Sequence, residues 1–482
     1  MKIRTRYAPS PTGYFHIGGA RTALFNFLFA KKMNGDFIVR IEDTDTERNV
    51  ENGVESQLFN LNWLNIRPDE SPQKEGKYKP YQQTQKLDRY QLLAESLLAE
   101  NKAYRCFCSK EELDEQRKQA EANHETPKYN RKCLMLSENE IRTKITNKQE
   151  YVIRLKINEN DSYEWNDLVR GKISIPGSAL TDPVILKSNK IAMYNFAVVV
   201  DDYDMDITHV LRGEEHISNT PYQIAIKKAL GFDKKEISYG HLSIIINDEG
   251  KKLSKRDSNL KQFIEDYRLL GYLPIAIVNF LCLLGWTPNN NKEVMSLSEM
   301  INAFQLEFLS KSPAKFDILK LNWISNQHFK LMEDKKYLEF VKPFVKSKNE
   351  IFMQNPDKVL LLLKNQIAYA KQIDDLIIDL FENDKIDETA KKEINDQKTN
   401  IKIIAPILLS LIDDANFEEE ENIKKIINTV KEQTKLNGKN LFMPIRLLST
   451  KKQHGPDLAT TLSLFGKKRI KQNINDVLQG IN

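Results

Sequence analysis

The sequence predicts a multidomain protein in which an α/β domain with a parallel sheet precedes a last third that is entirely helical. Three observations support this prediction. The chain has 482 residues, more than one ordinary hydrophobic core accommodates. Its first 45 residues follow strand, helix and strand patterns in turn. Beyond Leu260, Leu and Ile recur at helical spacing between Lys and Glu, and few strand-like alternations remain.

The strand–helix–strand pattern starts close to the N-terminus. Ile3 to Tyr7 predicts a short strand, and the Pro- and Gly-containing segment 8–13 predicts a loop. From about Gly18 to Met33, apolar residues recur at the spacing of a one-sided helix. Phe37 to Ile41 is typical of a buried parallel strand. In such a βαβ unit, we expect the ligand where the loop enters the helix.

Further elements follow along the chain. Helical patterns lie near Val54–Leu64 and Lys86–Glu100, and residues 109–150 form a heavily charged insertion. Strands are predicted at Tyr151–Ile157, Val184–Lys187, Ile207–Leu211 and Leu242–Ile246, with a helix at Thr220–Leu230. Later helices are predicted at Lys358–Ala370, Ile401–Leu411 and Ile423–Thr434.

Composition indicates a soluble globular protein, because 40% of the residues are hydrophobic and 29% are charged. The 72 basic and 67 acidic residues give a net charge of +5, which permits a polyanionic partner without requiring one. The most apolar segment, Leu273–Trp286, is shorter than the ~20 residues needed to cross a bilayer, and no secretory signal is visible. Four cysteines form no disulfide framework in so long a chain. We therefore expect a cytoplasmic protein without a membrane segment.

The segment His16-Ile17-Gly18-Gly19 lies where the first loop becomes the first helix. Free amide groups and the helix dipole at that point favour a polyphosphate. His16 can donate to a phosphate oxygen, while Gly18 and Gly19 allow a nucleotide to approach the backbone closely. The segment by itself also fits a helix N-terminus with a surface histidine.

The segment Lys252-Leu253-Ser254-Lys255-Arg256 follows the predicted strand Leu242–Ile246 and carries three cations within five residues. Such cations can reach triphosphate oxygens and offset the charge that develops as pyrophosphate leaves. A charge run by itself is more typical of a solvated turn. Its occurrence together with the His16 segment favours a nucleotide site.

These two segments resemble the signatures of class I aminoacyl-tRNA synthetases. His16 to Gly19 resembles His-Ile-Gly-His, with Gly19 in the place of the second histidine. Lys252 to Arg256 resembles Lys-Met-Ser-Lys-Ser, with Leu253 and Arg256 as variants. Both sets of substitutions are similar to those of the glutamate branch of the class.

Five polar side chains fit an amino acid with an acidic side chain. Arg6 and Arg212 follow or end predicted strands and can make bidentate contacts with a carboxylate. Glu42 can receive the α-ammonium group, and Tyr194 and Ser10 add hydroxyl groups. Charged residues are common at strand ends, so ordinary loop charges remain the alternative from these residues alone.

Four longer segments resemble the bacterial glutamyl-tRNA synthetase family: Arg6–Gly13, Arg40–Asp45, Tyr194–Asp202 and Arg212–His216. This resemblance implies that glutamate contacts Arg6, Ser10, Glu42, Tyr194 and Arg212. It implies that ATP contacts His16, Gly18, Gly19, Glu215, His216, Lys252, Leu253, Ser254, Lys255 and Arg256.

The implied reaction is the ATP-dependent ligation of L-glutamate to the 3′ end of tRNA(Glu) through a glutamyl-adenylate. It needs no protein nucleophile, since the glutamate carboxylate attacks the α-phosphate; the protein supplies positioning and charge, with Mg²⁺ on the phosphates. The residues expected to act in catalysis are His16, Lys252, Ser254 and Lys255. A buried ionic site rejects neutral analogues by on the order of 10⁴-fold, so no editing domain is needed.

The resemblance also implies the domain organisation. A Rossmann-like catalytic domain comes in two halves, 1–100 and 186–257, around an inserted α/β region, 101–185, that binds the tRNA acceptor end. A helical connector (258–327) and a helical anticodon-binding domain (328–482) follow. The C-terminal likeness rests on segments such as Ser312–Asp317, Gly438–Arg446 and His454–Leu458. Relatives are typically monomers, and charging of tRNA(Gln) as well is left open.

Cys106, Cys108 and Cys133 resemble part of a zinc site found in some relatives. Met135 stands where a histidine ligand is expected, so Tyr129 is the remaining candidate for a fourth ligand. The alternative is three reduced cysteines near a strand end.

Other protein classes fit the sequence less well. A glutaminyl-tRNA synthetase is expected to have a β-barrel anticodon region, whereas this region is helical in pattern. A truncated paralogue that modifies a tRNA base would lack the C-terminal domain. A small-molecule nucleotidyltransferase would not need the last 150 or so residues, and a non-enzymatic RNA-binding protein would be free to lose Lys255 and Glu42.

Overall fold

A computed structural model describes residues 2–45, 47–253, 261–414 and 419–481 of the chain. The chain divides into two compact units, the first comprising Met1–Arg268 with Pro274–Leu321 and the second Leu269–Leu273 with Asn322–Asn482. Over the described ranges, no helix has an apolar stretch long enough to cross a bilayer.

The elements of the first part of the chain alternate between strands and helices. The N-terminal stretch contains β1 (Arg4–Tyr7), α1 (Ile17–Lys32), β2 (Asp36–Val39), α2 (Gly53–Trp63) and α3 (Leu87–Ala99). The stretch inserted after it contains β3 (Ala103–Cys106), α4 (Lys110–Ala122), α5 (Glu138–Thr146), β4 (Val152–Leu155), β5 (Ser162–Asp167), β6 (Gly171–Pro176) and β7 (Val184–Leu186). Then come α6 (Tyr194–Asp204), β8 (His209–Gly213), α7 (Thr220–Ala229), β9 (Ser238–Leu242) and β10 (Ile245–Ile246). They are followed by α8 (Ile264–Leu270), α9 (Pro274–Leu283), α10 (Leu297–Ala303), β11 (Ala314–Lys315) and α11 (Ile318–Leu331).

The main sheet is parallel and has the strand order β2-β1-β8-β9. The chain runs from β1 outward to β2 on one side and from β8 outward to β9 on the other. The strand order therefore reverses between β1 and β8, and ligands of open α/β sheets bind at the carboxyl ends of the strands at such a point. Here those ends are Tyr7 and Gly213.

The central strand β1 is buried along its whole length although its sequence is Arg-Thr-Arg-Tyr. Its polar side chains are tolerated because each has partners. Arg4 forms ion pairs with Asp36 at 2.8 Å and with Glu70 at 3.1 Å. The hydroxyl of Thr5 donates to the carbonyl of Asn26 in α1 at 2.9 Å. These contacts fix the strand against its neighbours. The next polar side chain, Arg6, lies near the carboxyl end of the strand.

The inserted stretch shares a hydrophobic core with the main domain. The antiparallel sheet β3-β4-β7 packs on the same cluster as α3, α6 and α7, which includes Tyr90, Ile153, Phe196 and Ile226. The antiparallel hairpin β5-β6 contacts the main sheet directly, since the amide of Leu168 in its turn donates to the carbonyl of Tyr239 in β9 at 2.8 Å. The insertion is therefore part of the first unit rather than a separate body.

The described residues of the second unit contain helices and no strand, and beyond the ends of α8 and α11 nine α-helices follow. These are α12 (Asp334–Val341), α13 (Glu350–Gln354), α14 (Pro356–Leu363), α15 (Gln372–Phe381), α16 (Glu388–Asp396), α17 (Lys398–Asp414), α18 (Glu420–Thr434), α19 (Lys439–Thr450) and α20 (Leu458–Ile481), the last kinked at Gly466. Leu and Ile form their buried faces, as in α18, where Ile423, Ile427 and Val430 are buried.

The parallel sheet and the helical last third agree with the prediction, but two predicted elements were wrong in extent. The strand predicted at Leu242–Ile246 divides at Ser243, whose carbonyl accepts from the Arg21 guanidinium; β10 then pairs with β11 instead of continuing β9. The helix predicted at Lys358–Ala370 ends as α14 at Leu363 and continues as a 3₁₀ turn. The hairpin β5-β6 was not predicted.

Candidate active site

A cavity of about 690 Å³ opens at the point where the strand order reverses. All of the described residues predicted for the site line this cavity. On the side predicted for the amino acid they are Arg6, Ser10, Glu42, Tyr194 and Arg212. On the side predicted for ATP they are His16, Gly18, Gly19, Glu215, His216, Lys252 and Leu253. The predicted residues Ser254, Lys255 and Arg256 lie outside the described residues.

Arg40 lies completely buried beneath the cavity and joins three carboxylates. Its guanidinium donates to Asp202 at 2.8 Å and to Glu42 at 3.1 Å, and its Nε lies 3.5 Å from Asp201. Burial disfavours its charge, but the neighbouring carboxylates, Asp202 first, raise the pKa of Arg40 above its ordinary value. The same Asp202 accepts two hydrogen bonds from Arg6, at 3.2 and 3.3 Å. Arg40 thus fixes both Glu42 and, through Asp202, Arg6.

The buried charges around Arg40 form a balanced set. Lys86 extends the network from Asp201, at 2.7 Å, to Asp204, which also pairs with Arg89. With Glu42 ionised, the three buried cations Arg6, Arg40 and Lys86 therefore face the three buried carboxylates Glu42, Asp201 and Asp202, while the pair of Asp204 and Arg89 is partly exposed. Ion pairs of this kind are tolerated in a core because each charge has a partner.

Like Arg6, the Glu42 carboxylate of this set lines the cavity. Burial raises its pKa to about 7, against the opposing charges of Arg40 and Arg6. Near neutral pH, this carboxyl therefore titrates, and a cationic group entering the cavity would favour its ionised form.

Arg212 stands outside the balanced set. Its guanidinium is buried and donates only to neutral acceptors among the described residues: Gln223 at 2.9 Å, Thr220 at 2.8 Å, His241 at 3.1 Å and the His216 carbonyl at 3.5 Å. Burial lowers its pKa, and the nearby charge of Arg6 acts in the same direction. A buried cation with no carboxylate in contact is costly, so it points to an anionic ligand. The cavity thus has an excess positive charge on its amino-acid side.

His16 begins α1, and its Nδ1 accepts from the amides of Gly18 at 3.0 Å and Gly19 at 3.3 Å. The amide of Ile17 donates to the Gln262 carbonyl at 2.9 Å. The expectation of free amides at this helix start is therefore wrong, because the histidine ring itself caps them. With Nδ1 accepting, the neutral ring carries its proton on Nε2, which makes that nitrogen a donor.

Gly19 occupies the place of the second signature histidine for a steric reason. A Cβ atom at this position would lie 2.6 Å from the hydroxyl oxygen of Tyr7. That hydroxyl is held by a 3.1 Å hydrogen bond to Gln57, and both residues line the cavity. Any side chain at position 19 would have to displace Tyr7.

Arg21 also lines the cavity and was not predicted as a site residue. It is buried and donates to the carbonyls of Leu284, at 3.3 Å, and of Ser243. Burial lowers its pKa to about 10. The sequence contained a signal for it, because Arg21 stands on the apolar face of α1, one turn from Ile17 and Leu24.

A second cluster lies in the inserted stretch. The sulfurs of Cys106, Cys108 and Cys133 all lie within 4.8 Å of one another, and those of Cys108 and Cys133 are 3.6 Å apart. The Tyr129 hydroxyl lies 3.4 Å from the Cys106 sulfur and 3.5 Å from the Cys108 sulfur. The Arg154 guanidinium lies 4.2 Å from the centre of the Tyr129 ring. The structure therefore brings together the four side chains predicted for a metal.

Comparison with known proteins finds two family models along the chain. Residues 2–323 match the catalytic domain of class I tRNA synthetases (E and Q), and residues 336–478 match an anticodon binding domain. The chain is 54% identical over 483 residues to the glutamate–tRNA ligase of Ureaplasma urealyticum serovar 10, with 99% of each chain covered. It is 51% identical over 478 residues to that of Mycoplasma genitalium, covering 98% of this chain and 99% of the relative.

The solved structures include a close match over the whole chain. The glutamate tRNA ligase of Elizabethkingia meningosepticum, solved in complex with its amino acid, has a TM-score of 0.84 to this chain. The two are 34% identical, and 100% of each chain is covered.

The different surroundings of Arg40 and Arg212 predict different effects on stability. Arg40→Met is expected to lower the free energy of unfolding by about 3–5 kcal/mol, because it leaves three buried carboxylates short of a partner. Arg212→Met is expected to cost less than half as much, because it strands no carboxylate. Thermal unfolding of the ligand-free variants, followed by circular dichroism at one scan rate, measures both. Equal destabilisation by the two changes would contradict this account of the charge distribution.

Proposed function

The chain belongs to the glutamate–tRNA ligase family of class I tRNA synthetases, and we propose that its cavity performs the ligation of L-glutamate to the 3′ end of a tRNA. The reaction consumes ATP, passes through a glutamyl-adenylate and releases AMP and diphosphate. This agrees with the resemblance read from the sequence, and a glutamine-specific enzyme is not favoured.

The substrate assignment rests on the buried positive charge of Arg212, which contacts no carboxylate among the described residues. Glutamate has two carboxylates and one ammonium group, hence one net negative charge. With Glu42 ionised, Arg6, Arg40 and Lys86 balance Glu42, Asp201 and Asp202, so Arg212 supplies on the amino-acid side the positive charge that this ligand requires. Arg6 and Arg212 then bind carboxylate oxygens, Glu42 receives the ammonium group, and Tyr194 and Ser10 contribute hydroxyl groups. Glutamine, without the side-chain charge, would leave Arg212 unmatched.

ATP is assigned to the other side of the same cavity. His16 donates through Nε2 to a phosphate oxygen, and Lys252 contributes a cation from its place on the cavity wall. His216 and Glu215 are assigned to ATP as well, and the Nδ1 of His216 lies 3.3 Å from the Tyr194 hydroxyl. Burial, and then the charge of Arg212, lowers the pKa of His216 to about 4, so its ring is neutral at pH 7 and does not add to the positive charge. Mg²⁺ accompanies ATP as the counter-ion of its phosphates.

The chemistry divides into two displacements that need no protein nucleophile. A carboxylate oxygen of glutamate attacks the α-phosphorus of ATP, the bond to the β-phosphate oxygen breaks, and diphosphate leaves. A ribose hydroxyl at the tRNA 3′ end then attacks the activated carbonyl, and AMP leaves with the bonding electrons. The side chains of the cavity hold the reacting groups in line and stabilise the charge that moves onto the leaving phosphate.

The transfer RNA is proposed to bind both units. Region 101–185, packed on the core of the first unit, is assigned to the acceptor end, and the helical region 328–482 to the anticodon. Charging assays with tRNA(Glu) and tRNA(Gln) decide whether both are substrates. We expect a monomer that acts in the cytoplasm.

The cysteine cluster is proposed to hold one structural zinc ion. In a tetrahedral site, Zn–S bonds of about 2.3 Å place two sulfurs roughly 3.8 Å apart, and a Zn–O bond of about 2.0 Å places oxygen and sulfur roughly 3.5 Å apart. The corresponding distances here are 3.6 Å between Cys108 and Cys133, and 3.4 and 3.5 Å from Tyr129 to two sulfurs. Arg154 supplies a positive charge beside ligands whose charges outnumber that of the metal. Three reduced cysteines without metal are the alternative.

The proposed function predicts amino-acid-dependent charging. The purified protein should join glutamate, and not glutamine, to tRNA(Glu), and Lys255→Ala should abolish the release of diphosphate. Arg212→Ala should raise the KM for glutamate about 30-fold or more, because a buried charged contact is lost, while the KM for ATP changes little. Robust charging with glutamine would overturn the assignment, and equal effects on both KM values would remove Arg212 from the amino-acid side.

The pKa of Glu42 predicts a dependence on pH. Only the ionised carboxylate binds the ammonium group, so kcat/KM for glutamate should fall about tenfold per pH unit below pH 7. The kcat profile should fall at a lower pH, because bound ammonium holds Glu42 ionised. Glu42→Gln should lower kcat/KM and remove its inflection near pH 7. A wild-type profile that is flat between pH 5.5 and 7.5 would contradict the assignment.

The zinc proposal predicts about one equivalent of zinc in the purified protein and a lower melting temperature after chelation. Cys133→Ser should lose the metal. Cys282→Ser is the matched control, because Cys282 is a buried thiol away from the cluster and should keep it. Less than about a tenth of an equivalent in the wild-type protein would favour metal-free cysteines.

A further inference from the structure

One of the contacts that orient Arg212 comes from His241, a side chain that does not line the cavity. The Nε of Arg212 donates to Nε2 of His241 at 3.1 Å, and the other ring nitrogen of His241 contacts a carboxylate oxygen of Asp167. All three side chains are buried. His241 belongs to β9 of the main sheet, whereas Asp167 ends β5 of the inserted hairpin. A residue of the insertion therefore reaches Arg212 through one imidazole ring.

The directions of these hydrogen bonds determine which ring nitrogen of His241 carries the proton. Nε2 of His241 has two neighbours, the Arg212 Nε and the Thr220 hydroxyl, each at 3.1 Å. A guanidinium only donates, so the bond from Arg212 requires Nε2 to be the unprotonated, accepting nitrogen. The ring proton then lies on Nδ1 and is donated to Asp167. Burial lowers the pKa of His241 despite the neighbouring carboxylate, so the ring is neutral. Asp167 thereby selects the one neutral tautomer that can hold Arg212.

The carboxylate of Asp167 is itself fixed by five donors. One oxygen accepts from the backbone amides of Val169 at 3.0 Å, Arg170 at 3.0 Å and His241 at 3.2 Å. The other oxygen accepts from the Trp165 indole at 3.2 Å and from the His241 ring. Both atoms must therefore be acceptors, which only a carboxylate provides.

We propose that Asp167 and His241 are positioning residues for amino-acid recognition, which hold the Arg212 fork in place through a neutral acceptor and leave its charge for the carboxylate of the substrate. A carboxylate in direct contact with Arg212 would neutralise the charge that selects glutamate. The interposed imidazole gives the same geometric restraint and keeps the negative charge one ring away. This inference rests on the proposed function of the cavity.

Asp167→Asn tests the inference, because the environment dictates how the amide must lie. Three backbone amides require an oxygen on one side, so the NH₂ group faces the His241 ring. The imidazole must then accept at Nδ1 and carry its proton on Nε2, where it opposes the N–H of Arg212. We expect the KM for glutamate to rise about tenfold or more. The KM for ATP should stay within about threefold. The ¹⁵N chemical shifts of His241 should show the proton moving from Nδ1 to Nε2.

Two further variants separate positioning from general damage. Asp182→Asn is the matched control, because Asp182 is also a buried carboxylate of the insertion but bonds Tyr104 and Arg131 instead of β9. It should leave the KM for glutamate within about threefold. His241→Gln offers an acceptor oxygen that does not depend on Asp167, so Asp167→Asn should add little in its presence. Should Asp167→Asn not fold, His241→Leu against His241→Gln makes the same comparison, since leucine removes the acceptor.

The outcomes distinguish this inference from the function on which it rests. A wild-type protein that charges tRNA with glutamate, beside an Asp167→Asn variant whose KM for glutamate is unchanged, overturns the positioning role alone. The same holds if Asp167→Asn and Asp182→Asn raise every kinetic constant alike. A wild-type protein that does not use glutamate overturns the proposed function, and the inference with it.

Discussion

The guanidinium of Arg40 holds in place the side chains on the amino-acid side of the cavity. It lies where the end of β2 meets α6, and it has no contact with solvent. Burial would drive Glu42 to its neutral form, and Arg40 is the first of the charges that oppose this. Through Asp202 it also orients Arg6, which comes from the central strand. The two residues proposed to bind the ammonium group and a carboxylate of the substrate are thus held by one buried cation.

Because the charges around Arg40 balance one another, the charge of Arg212 has no counter-charge on the amino-acid side of the cavity among the described residues. In a site where every charge is already paired, a charged ligand gains no electrostatic binding energy over a neutral one. Arg212 is held only by neutral groups among the described residues, so its positive charge has no counter-charge until an anion enters the cavity. Under the proposed function, the pocket would discriminate by charge at the binding step, because an isosteric amide would leave the buried cation of Arg212 without a counter-charge. This is consistent with a chain in which no region was assigned to editing.

Local patterns predicted what depends on near neighbours in sequence. The βαβ unit, the buried faces of the later helices and the residues around the cavity follow from periodicity, loop position and resemblance. Contacts between distant segments were not predictable in the same way. The bond from Arg40 to Asp202 spans 162 positions, and the strand at Leu242–Ile246 divides because Arg21 of α1 bonds the backbone at Ser243. The capping of α1 by His16 was missed because histidine is not a common N-cap residue.

The contact between Tyr7 and Gly19 couples two positions that would otherwise be treated as independent. Because the tyrosine hydroxyl fills the space of a Cβ at residue 19, the acceptable residues at one site depend on the size of the other. Homologues carrying histidine at position 19 should therefore carry a smaller or differently oriented residue at position 7. Restoring the fuller signature in this chain by a single exchange would meet a steric barrier, whereas a paired exchange opens an evolutionary path between the two forms.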